Sequence, residues 1–337
     1  MPSNVSSVRE LRASDATRWF DELGGAAEPL LIRGLIRDWP LVQAALRSSR
    51  EALAYLRGFY QNATVGAWFG APQIRGRFFY NEDFTGFNFE ARFVKLDAVF
   101  DEIERVEGNA LPPSVYVGST TIDTCLPGLR ARNDVAGFPS DALASIWVGN
   151  RTRIAAHFDM PDNLACVAVG RRRFTLFPPT ELANLYLGPL DLTPAGQQIS
   201  LVDVVEPDLE RHPRFALALR SARVADLEAG DALYIPGMWW HHVEALATCN
   251  VLVNYWWQQT PAYAGPPVNA LMHALLSVRA LPVAQRAVWR EFFDRYVFAA
   301  DEEAVAHLPP ERRGVLGTID ETRARTLRAF LLRQLNR

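Results

Sequence analysis

The chain has 337 residues, of which 49% are hydrophobic and 22% are charged, and its formal net charge is −3. This composition is typical of a soluble globular protein with a large core. The balanced charge gives no general attraction to nucleic acid or to an anionic membrane, so we expect neither partner. The three scattered cysteines argue against a disulfide framework, and no apolar run reaches membrane-spanning length. We therefore predict a cytoplasmic protein.

The first part of the chain is predicted to be largely helical. Apolar spacing favours a helix over Leu41–Tyr60, and a strand-like run at Leu30–Ile32 precedes it. From residue 62 to residue 150, short strand-like runs surround one predicted helix near Val94–Arg105. We assign residues 1–114 to helices and strands that pack on a β-rich core.

The β-rich core is predicted at residues 115–258, with a helical insertion at about 180–225. From Val268 onward the apolar spacing becomes helical again, so residues 259–337 form a separate helical region. The chain shows no internal repeat, and a single compact unit with helical ends is expected.

The most informative motif is His157-Phe158-Asp159, which is followed much later in the chain by His241. Residues i and i+2 of a strand project to the same side, so His157 and Asp159 can converge on one metal ion. Two imidazoles and one carboxylate occupy one face of an iron(II) ion and leave three positions open for a co-substrate and dioxygen. These three residues are candidate metal ligands, and His242 is only a neighbour.

A hairpin is predicted around a turn at Gly170-Arg171. In this register Arg172 shares a face with Asn163 and points toward the metal. A slip of one residue would place Arg173 there instead, and the sequence leaves both registers open.

A second hairpin is predicted to turn at Gly237 and to carry His241 on its outgoing strand. A return strand follows over Asn250–Trp257. Alternation places Asn254 and Trp256 on one side of that strand, where an amide and an indole could contact a co-substrate.

Several blocks in this order resemble the cupin-like JmjC proteins: His157-Phe158-Asp159, Asn163, Gly170, Phe177-Pro178-Pro179, residues 230–236, Trp239-Trp240-His241-His242 and Val253-Asn254-Tyr255-Trp256. These proteins are 2-oxoglutarate- and Fe(II)-dependent oxygenases, and the asparaginyl hydroxylase that acts on hypoxia-inducible factor is one of them. The resemblance implies a mainly β fold with helical flanks, built on a double-stranded β-helix (a jelly roll) that holds the metal at its mouth. It also implies that His157, Asp159 and His241 bind Fe(II).

The same resemblance implies which residues bind 2-oxoglutarate. Tyr116 matches a tyrosine whose hydroxyl contacts the distal carboxylate, and Asn163 and Asn254 match amides that line the site. Trp256 matches an aromatic residue beside the reacting centre and is the candidate catalytic contact. The implied activity is hydroxylation of a C–H bond, with release of succinate and CO₂.

Two positions depart from the family pattern. Arg172 stands where relatives often carry a lysine that pairs with the distal carboxylate, and a guanidinium can form that pair with two parallel hydrogen bonds. Because Lys95 is the only lysine in the chain, this exchange is consistent with general arginine usage. Ile154 replaces a threonine that helps to hold the co-substrate, so a weaker affinity for the 2-oxo acid is predicted.

Two alternatives remain open at this point. One is a metal-dependent cupin with other chemistry, and the other is a catalytically silent binding module that retains the fold. The substrate, whether protein, peptide or small molecule, is not specified by the residues. In relatives, helices after the core form a homodimer, and residues 259–337 are long enough for this role.

Overall fold

The computed structural model describes residues 5–15, 23, 26–139, 142–258 and 260–336. The chain divides into two compact units, residues 1–258 and residues 259–337. The stretch predicted as residues 1–114 contains positions 1–4, 16–22 and 24–25, which lie outside the described residues. Within the described ranges, no helix is both long and apolar enough to span a membrane.

Fifteen strands are described in the first unit: β1 Ser6–Ser7, β2 Arg9–Arg12, β3 Leu30–Arg33, β4 Thr64–Gly70, β5 Arg77–Phe78, β6 Phe89–Lys95, β7 Ser114–Thr121, β8 Leu143–Gly149, β9 Arg153–His157, β10 Asp162–Val169, β11 Arg171–Phe177, β12 Arg223–Glu228, β13 Ala232–Ile235, β14 Trp240–Ala245 and β15 Asn250–Trp257. They form a nine-stranded sheet in the order β2-β3-β13-β10-β15-β8-β7-β4-β6 and a six-stranded sheet in the order β1-β12-β11-β14-β9-β5. Side chains of both sheets meet in one buried apolar cluster, which includes Val167 and Phe174. The predicted jelly roll is confirmed.

The helices of the first unit are α1 Pro40–Arg47, α2 Ser49–Arg57, α3 Leu96–Val106, α4 Ile122–Cys125 and α5 Phe215–Ser221. The single helix predicted over Leu41–Tyr60 is interrupted at Ser48, whose backbone is extended and whose hydroxyl accepts a hydrogen bond from the Glu51 N–H. Serine is a preferred N-cap residue, so it starts a second helix here. Apolar spacing continues across this break, which is why the sequence suggested one helix.

The second unit contains α6 Pro267–Ser277, α7 Val283–Phe293 and α8 Glu321–Leu335. The helical character predicted for this part of the chain is observed. The predicted insertion at 180–225 is mostly irregular: it contains a 3₁₀ turn at Pro179–Asn184 and the short helix α5, and β12 begins at Arg223.

The two predicted hairpins are wrong. Strand β10 pairs with β13 and β15 in the large sheet, whereas β11 pairs with β12 and β14 in the small sheet. The chain crosses between the sheets at Gly170, where φ is +79° and an added Cβ would lie 2.4 Å from the carbonyl oxygen of Cys249. Strands β13 and β14 likewise belong to different sheets. Alternation along a strand identifies its faces but does not identify its partner, so a crossover was mistaken for a hairpin.

Candidate metal centre and adjoining cavities

Two paired strands bring the candidate histidine ligands together. His157 ends β9, His241 lies in β14, and the two residues are direct partners in the antiparallel register. Their ring centroids are 4.3 Å apart, and Nε2 of His241 lies 3.7 Å from a carboxylate oxygen of Asp159. One ligand atom from each of the three residues lies within 4.8 Å of the other two. The predicted triad therefore converges on one point.

Backbone carbonyls orient both imidazoles. Nδ1 of His157 lies 2.9 Å from the Ala155 carbonyl oxygen, and Nδ1 of His241 lies 3.0 Å from that of Trp239. An N–H at Nδ1 donates to each carbonyl, which leaves the lone pair of Nε2 free for a metal. Burial lowers the pKa of His241 to about 4, and the neighbouring His157 adds to this effect. The ring is therefore neutral at pH 7, as a metal ligand must be.

A glycine holds the segments that carry Asp159 and His241 against each other. The Met238 N–H donates a 2.8 Å hydrogen bond to the carbonyl oxygen of Asp159. A Cβ on the preceding Gly237 would lie 2.4 Å from the carbonyl oxygen of Met160, so a larger residue would separate the two segments. Two imidazoles and one carboxylate held in this way fit the donor set of non-haem iron(II).

A small inner cavity of about 40 Å³ adjoins the triad. Its walls come from both sheets: Tyr116, Trp147, Ile154, His157, Asp159, Asn163, Ala165, Arg172, Phe174, His241, Val243, Leu252 and Asn254. All the residues predicted to bind a co-substrate therefore lie around one cavity.

Arg172, and not Arg173, faces the inner cavity. Its side chain is 3% exposed, and its Nε has no hydrogen-bond partner among the described residues. Burial lowers the pKa of Arg172 to about 10, and the nearby Tyr116 partly offsets this effect. By contrast, Arg173 is partly exposed and pairs with Asp226 at 2.7 Å. A buried guanidinium with free hydrogen-bonding capacity favours an anionic ligand.

A hydrogen-bonded chain orients the two predicted amides. The indole N–H of Trp147 donates to Oδ1 of Asn254 at 2.8 Å, and Nδ2 of Asn254 donates to Oδ1 of Asn163 at 3.4 Å. Burial raises the pKa of Tyr116, so its phenol stays protonated and remains a donor. Sequence reasoning missed Trp147, because its contact with Asn254 depends on the pairing of two strands far apart in the chain.

A second, outer cavity of about 370 Å³ shares the triad with the inner one. Its lining residues are Gly66, Trp68, Phe78, Tyr116, Gly118, Ser119, Thr120, Trp147, Ile154, Ala155, His157, Asp159, Pro194, Ala195, Gln197, Ile199 and Trp256. Trp256 is in the outer lining and not in the inner one. Most of the other outer-wall residues were missed, because they come from β4, β7 and the insertion, and no local motif marks them.

The cupin-like domain family matches residues 16–263, and this chain belongs to that family. It is 35% identical over 120 residues to lysine-specific demethylase JMJ31 of Arabidopsis thaliana, which covers 35% of this chain and 21% of that protein. It is 38% identical over 150 residues to tRNA wybutosine-synthesizing protein 5 of Gallus gallus, covering 41% of this chain and 44% of the relative. The chain thus spans less than half the length of these two relatives.

The chain is similar over a longer stretch to the bifunctional peptidase and (3S)-lysyl hydroxylase JMJD7 of Homo sapiens. The two are 26% identical over 269 residues, which is 68% of this chain and 77% of the human protein. Within this chain, the family match extends across both sheets and includes all the residues of the two cavities.

Proposed function

We propose that this protein is an Fe(II)- and 2-oxoglutarate-dependent oxygenase that hydroxylates a C–H bond of a protein side chain or a small molecule. The observation that carries the proposal is the convergence of His157, Asp159 and His241 between an inner cavity with a buried arginine and an outer cavity with apolar walls. Family membership supports the same activity. When bound, iron would activate dioxygen with 2-oxoglutarate as the two-electron reductant: one oxygen atom would enter succinate as CO₂ is released, and the other would hydroxylate the C–H bond.

In this proposal, the triad residues hold the iron on one face. The backbone carbonyls of Ala155 and Trp239 keep the imidazole Nε2 atoms directed at the metal, and Asp159 contributes the negative charge. Three protein ligands would leave coordination positions on the iron for the 2-oxo acid and for dioxygen.

Arg172 and Tyr116 bind the distal carboxylate of 2-oxoglutarate in this arrangement. The guanidinium is a permanent cation near neutral pH, and the protonated phenol donates a further hydrogen bond. Asn163 lines the same cavity, and Trp147 fixes Asn254 beside it. Trp256 forms part of the outer wall, where a bulky indole excludes water from the reacting carbon.

The direct test is 2-oxoglutarate turnover by the purified protein supplied with Fe(II) under air. We expect release of succinate and CO₂ that depends on iron, increased by a pool of candidate substrates. A protein that binds iron but never decarboxylates 2-oxoglutarate would instead be a cupin with other chemistry. A protein that binds no iron would be a silent binding module.

Replacing Ile154 with threonine should improve the affinity for 2-oxoglutarate. Ile154 lines both cavities and offers no polar atom, so a hydroxyl here can add one hydrogen bond to the co-substrate. One such bond is worth about 0.5–1.5 kcal/mol, or roughly a 2- to 12-fold lower half-saturation concentration. Ile154→Val, which has the shape of threonine without the hydroxyl, is the control and should leave the value unchanged. An unchanged half-saturation concentration in Ile154→Thr would contradict this assignment.

We also propose that residues 259–337 form a homodimer interface. Among the described residues of this unit, only Ala304, Val305 and Ala324 are buried apolar side chains. Large apolar side chains remain exposed on its helices: Val268, Leu271, Met272, Leu276, Val283, Val288, Trp289, Phe292, Phe330, Leu331, Leu332 and Leu335. A monomer rarely exposes so many large apolar side chains on its helices, and a second copy of the same unit can cover them.

Solution mass measurements should therefore show a dimer, and Trp289→Glu should shift it to a monomer. Trp289 is 45% exposed and packs on Phe292 at 5.4 Å between ring centroids. A carboxylate at this position would be buried unpaired in the interface, which is unfavourable. Phe93→Glu is the control, since Phe93 is 86% exposed on β6 of the first unit. A wild-type protein of monomeric mass would refute the proposal.

The three thiols agree with a reducing compartment. Cys125, Cys166 and Cys249 are all buried and unpaired. Disulfides are rare in the cytosol and common in oxidising compartments, so a cytoplasmic location is part of the proposal.

A further inference from the structure

The proposed function does not specify which chemical groups of a substrate the outer cavity accepts. Its volume of about 370 Å³ lies at the small end of ligand cavities. Among the described residues that line it, Asp159 is the only carboxylate, and no lysine or arginine is present. Asp159 belongs to the candidate metal centre, where its charge is directed at the metal. Apart from the candidate metal ligands, the described part of the wall therefore offers no charged partner to a substrate.

Four aromatic residues of this wall, Trp68, Tyr116, Trp147 and Trp256, lie next to one another along the cavity. The ring centroids of Trp68 and Tyr116 are 5.5 Å apart, those of Tyr116 and Trp147 are 5.9 Å apart, and those of Trp147 and Trp256 are 5.9 Å apart. These rings give the wall a largely apolar surface that carries no formal charge.

The polar groups of the wall are neutral. Ser119, Thr120 and Gln197 provide two hydroxyls and an amide. The indole N–H of Trp256 is buried and has no hydrogen-bond partner among the described residues. An uncharged acceptor on a ligand, such as a carbonyl or hydroxyl oxygen, would satisfy this donor.

We infer that the outer cavity admits a neutral, mainly apolar group of the substrate and discriminates against an ammonium or guanidinium group. This inference rests on the proposed function, because it assigns the substrate side of the same site. A cation that enters this cavity loses its water and finds, among the described lining residues, no carboxylate apart from the candidate metal ligand Asp159, whereas an alkyl or aromatic group gains apolar contacts. The cavity then discriminates against a cationic group because that group would be left without a partner of opposite charge. Two of the similar proteins are named for action on lysine, whose side chain ends in an ammonium group. The outer cavity of this chain is instead inferred to accept a neutral group.

The test compares matched neutral and cationic probes on the full chain with Fe(II) and 2-oxoglutarate under anaerobic conditions, so that binding is measured without turnover. One pair is N-acetyl-lysine methylamide and its analogue with a methyl group in place of the ammonium. The other pair is choline and 3,3-dimethylbutan-1-ol. We expect the neutral member of at least one pair to bind about tenfold more tightly, as titrated by ligand-observed NMR. Equal or tighter binding of the cations, or no binding of a neutral side chain either as the free probe or within a heptapeptide, would overturn the inference.

Gln197→Glu sharpens the same experiment, because it adds a carboxylate to the wall with almost no change in shape. The ratio of the affinity for the neutral probe to the affinity for the cationic probe should fall about tenfold in this variant. Gln197→Met, which stays uncharged, should retain the original ratio. An unchanged preference in Gln197→Glu would contradict the inference. Binding of the neutral side chain only within a heptapeptide would assign a polypeptide source, and binding of the free probe would assign a small molecule; both support the inference.

The two proposals can fail separately. Neutral-probe binding without any 2-oxoglutarate decarboxylation under air would refute the proposed function and leave the inference standing. Efficient turnover coupled to hydroxylation of a lysine side chain would refute the inference and support the proposed function.

Discussion

Replacing His241 with alanine is expected to lower the affinity for Fe(II) by about 100-fold or more and to stop 2-oxoglutarate turnover. His241 provides one of three donors that lie within 4.8 Å of one another, and its Nδ1 contact to Trp239 directs Nε2 at the metal. Even residues that only orient a ligand change metal affinity by about 10- to 100-fold, so loss of a ligand should cost at least as much. Anaerobic Fe(II) titration and succinate release measure the two effects.

The neighbouring His242 provides a matched control. It is buried like His241, at 3% against 4% exposed, but it is not part of the group of metal-competent donors. It lies opposite Thr175 in the strand pairing, whereas His241 lies opposite Leu176 and His157. His242→Ala should therefore destabilise the protein yet retain Fe(II) affinity. Equal loss of iron binding in both variants, or iron binding retained in His241→Ala, would refute the assigned triad.

Replacing Arg172 with methionine should raise the half-saturation concentration of 2-oxoglutarate by about 100-fold. In the proposed complex this substitution removes a hydrogen-bonded pair of buried charges, and such bonds contribute about 1.5–3 kcal/mol each. Arg172→Lys keeps the charge without the planar fork and should show an intermediate value. Turnover measured against 2-oxoglutarate concentration tests this expectation.

The same substitution should make the protein more stable when 2-oxoglutarate is absent. Burial lowers the pKa of Arg172 from 12.5 to about 10, so the charged form is less favourable in the folded chain than in the unfolded one. The shift corresponds to roughly 3 kcal/mol. This cost is present at all pH values below about 10 and disappears as the pH rises toward 12.5. Thermal unfolding near pH 7 should therefore show a higher midpoint for Arg172→Met.

Arg173→Met is the control for both measurements. Arg173 pairs with Asp226, and the two side chains are 38% and 55% exposed. A pair this exposed contributes about 0–1 kcal/mol, and it lies away from the cavity, so neither quantity should change much. If Arg173→Met, and not Arg172→Met, raised the half-saturation concentration, the residue that binds the distal carboxylate of 2-oxoglutarate would be Arg173 and not Arg172.

The predicted metal ligands converge in the structure, whereas the predicted hairpins do not form, and the difference has a physical reason. His157 and Asp159 are two positions apart, so strand geometry alone places them on one side. The partner of a strand depends on contacts that no local pattern records. Strands β10 and β11 follow each other but lie in different sheets, and Arg172 still reaches the cavity because the two sheets face each other.

The amino-acid sequence by itself predicted the β-rich core, the candidate metal ligands and the candidate residues for a 2-oxo acid, since these depend on short spacings and on recognisable blocks. Tertiary structure alone decided that Arg172 and not Arg173 enters the inner cavity, that Trp147 orients Asn254, and that Trp256 belongs to the outer wall. It also decided the neutral character of that wall, which β4, β7 and the insertion build together. Such surfaces join residues far apart in the chain, so their chemistry is defined only when the two sheets close on each other.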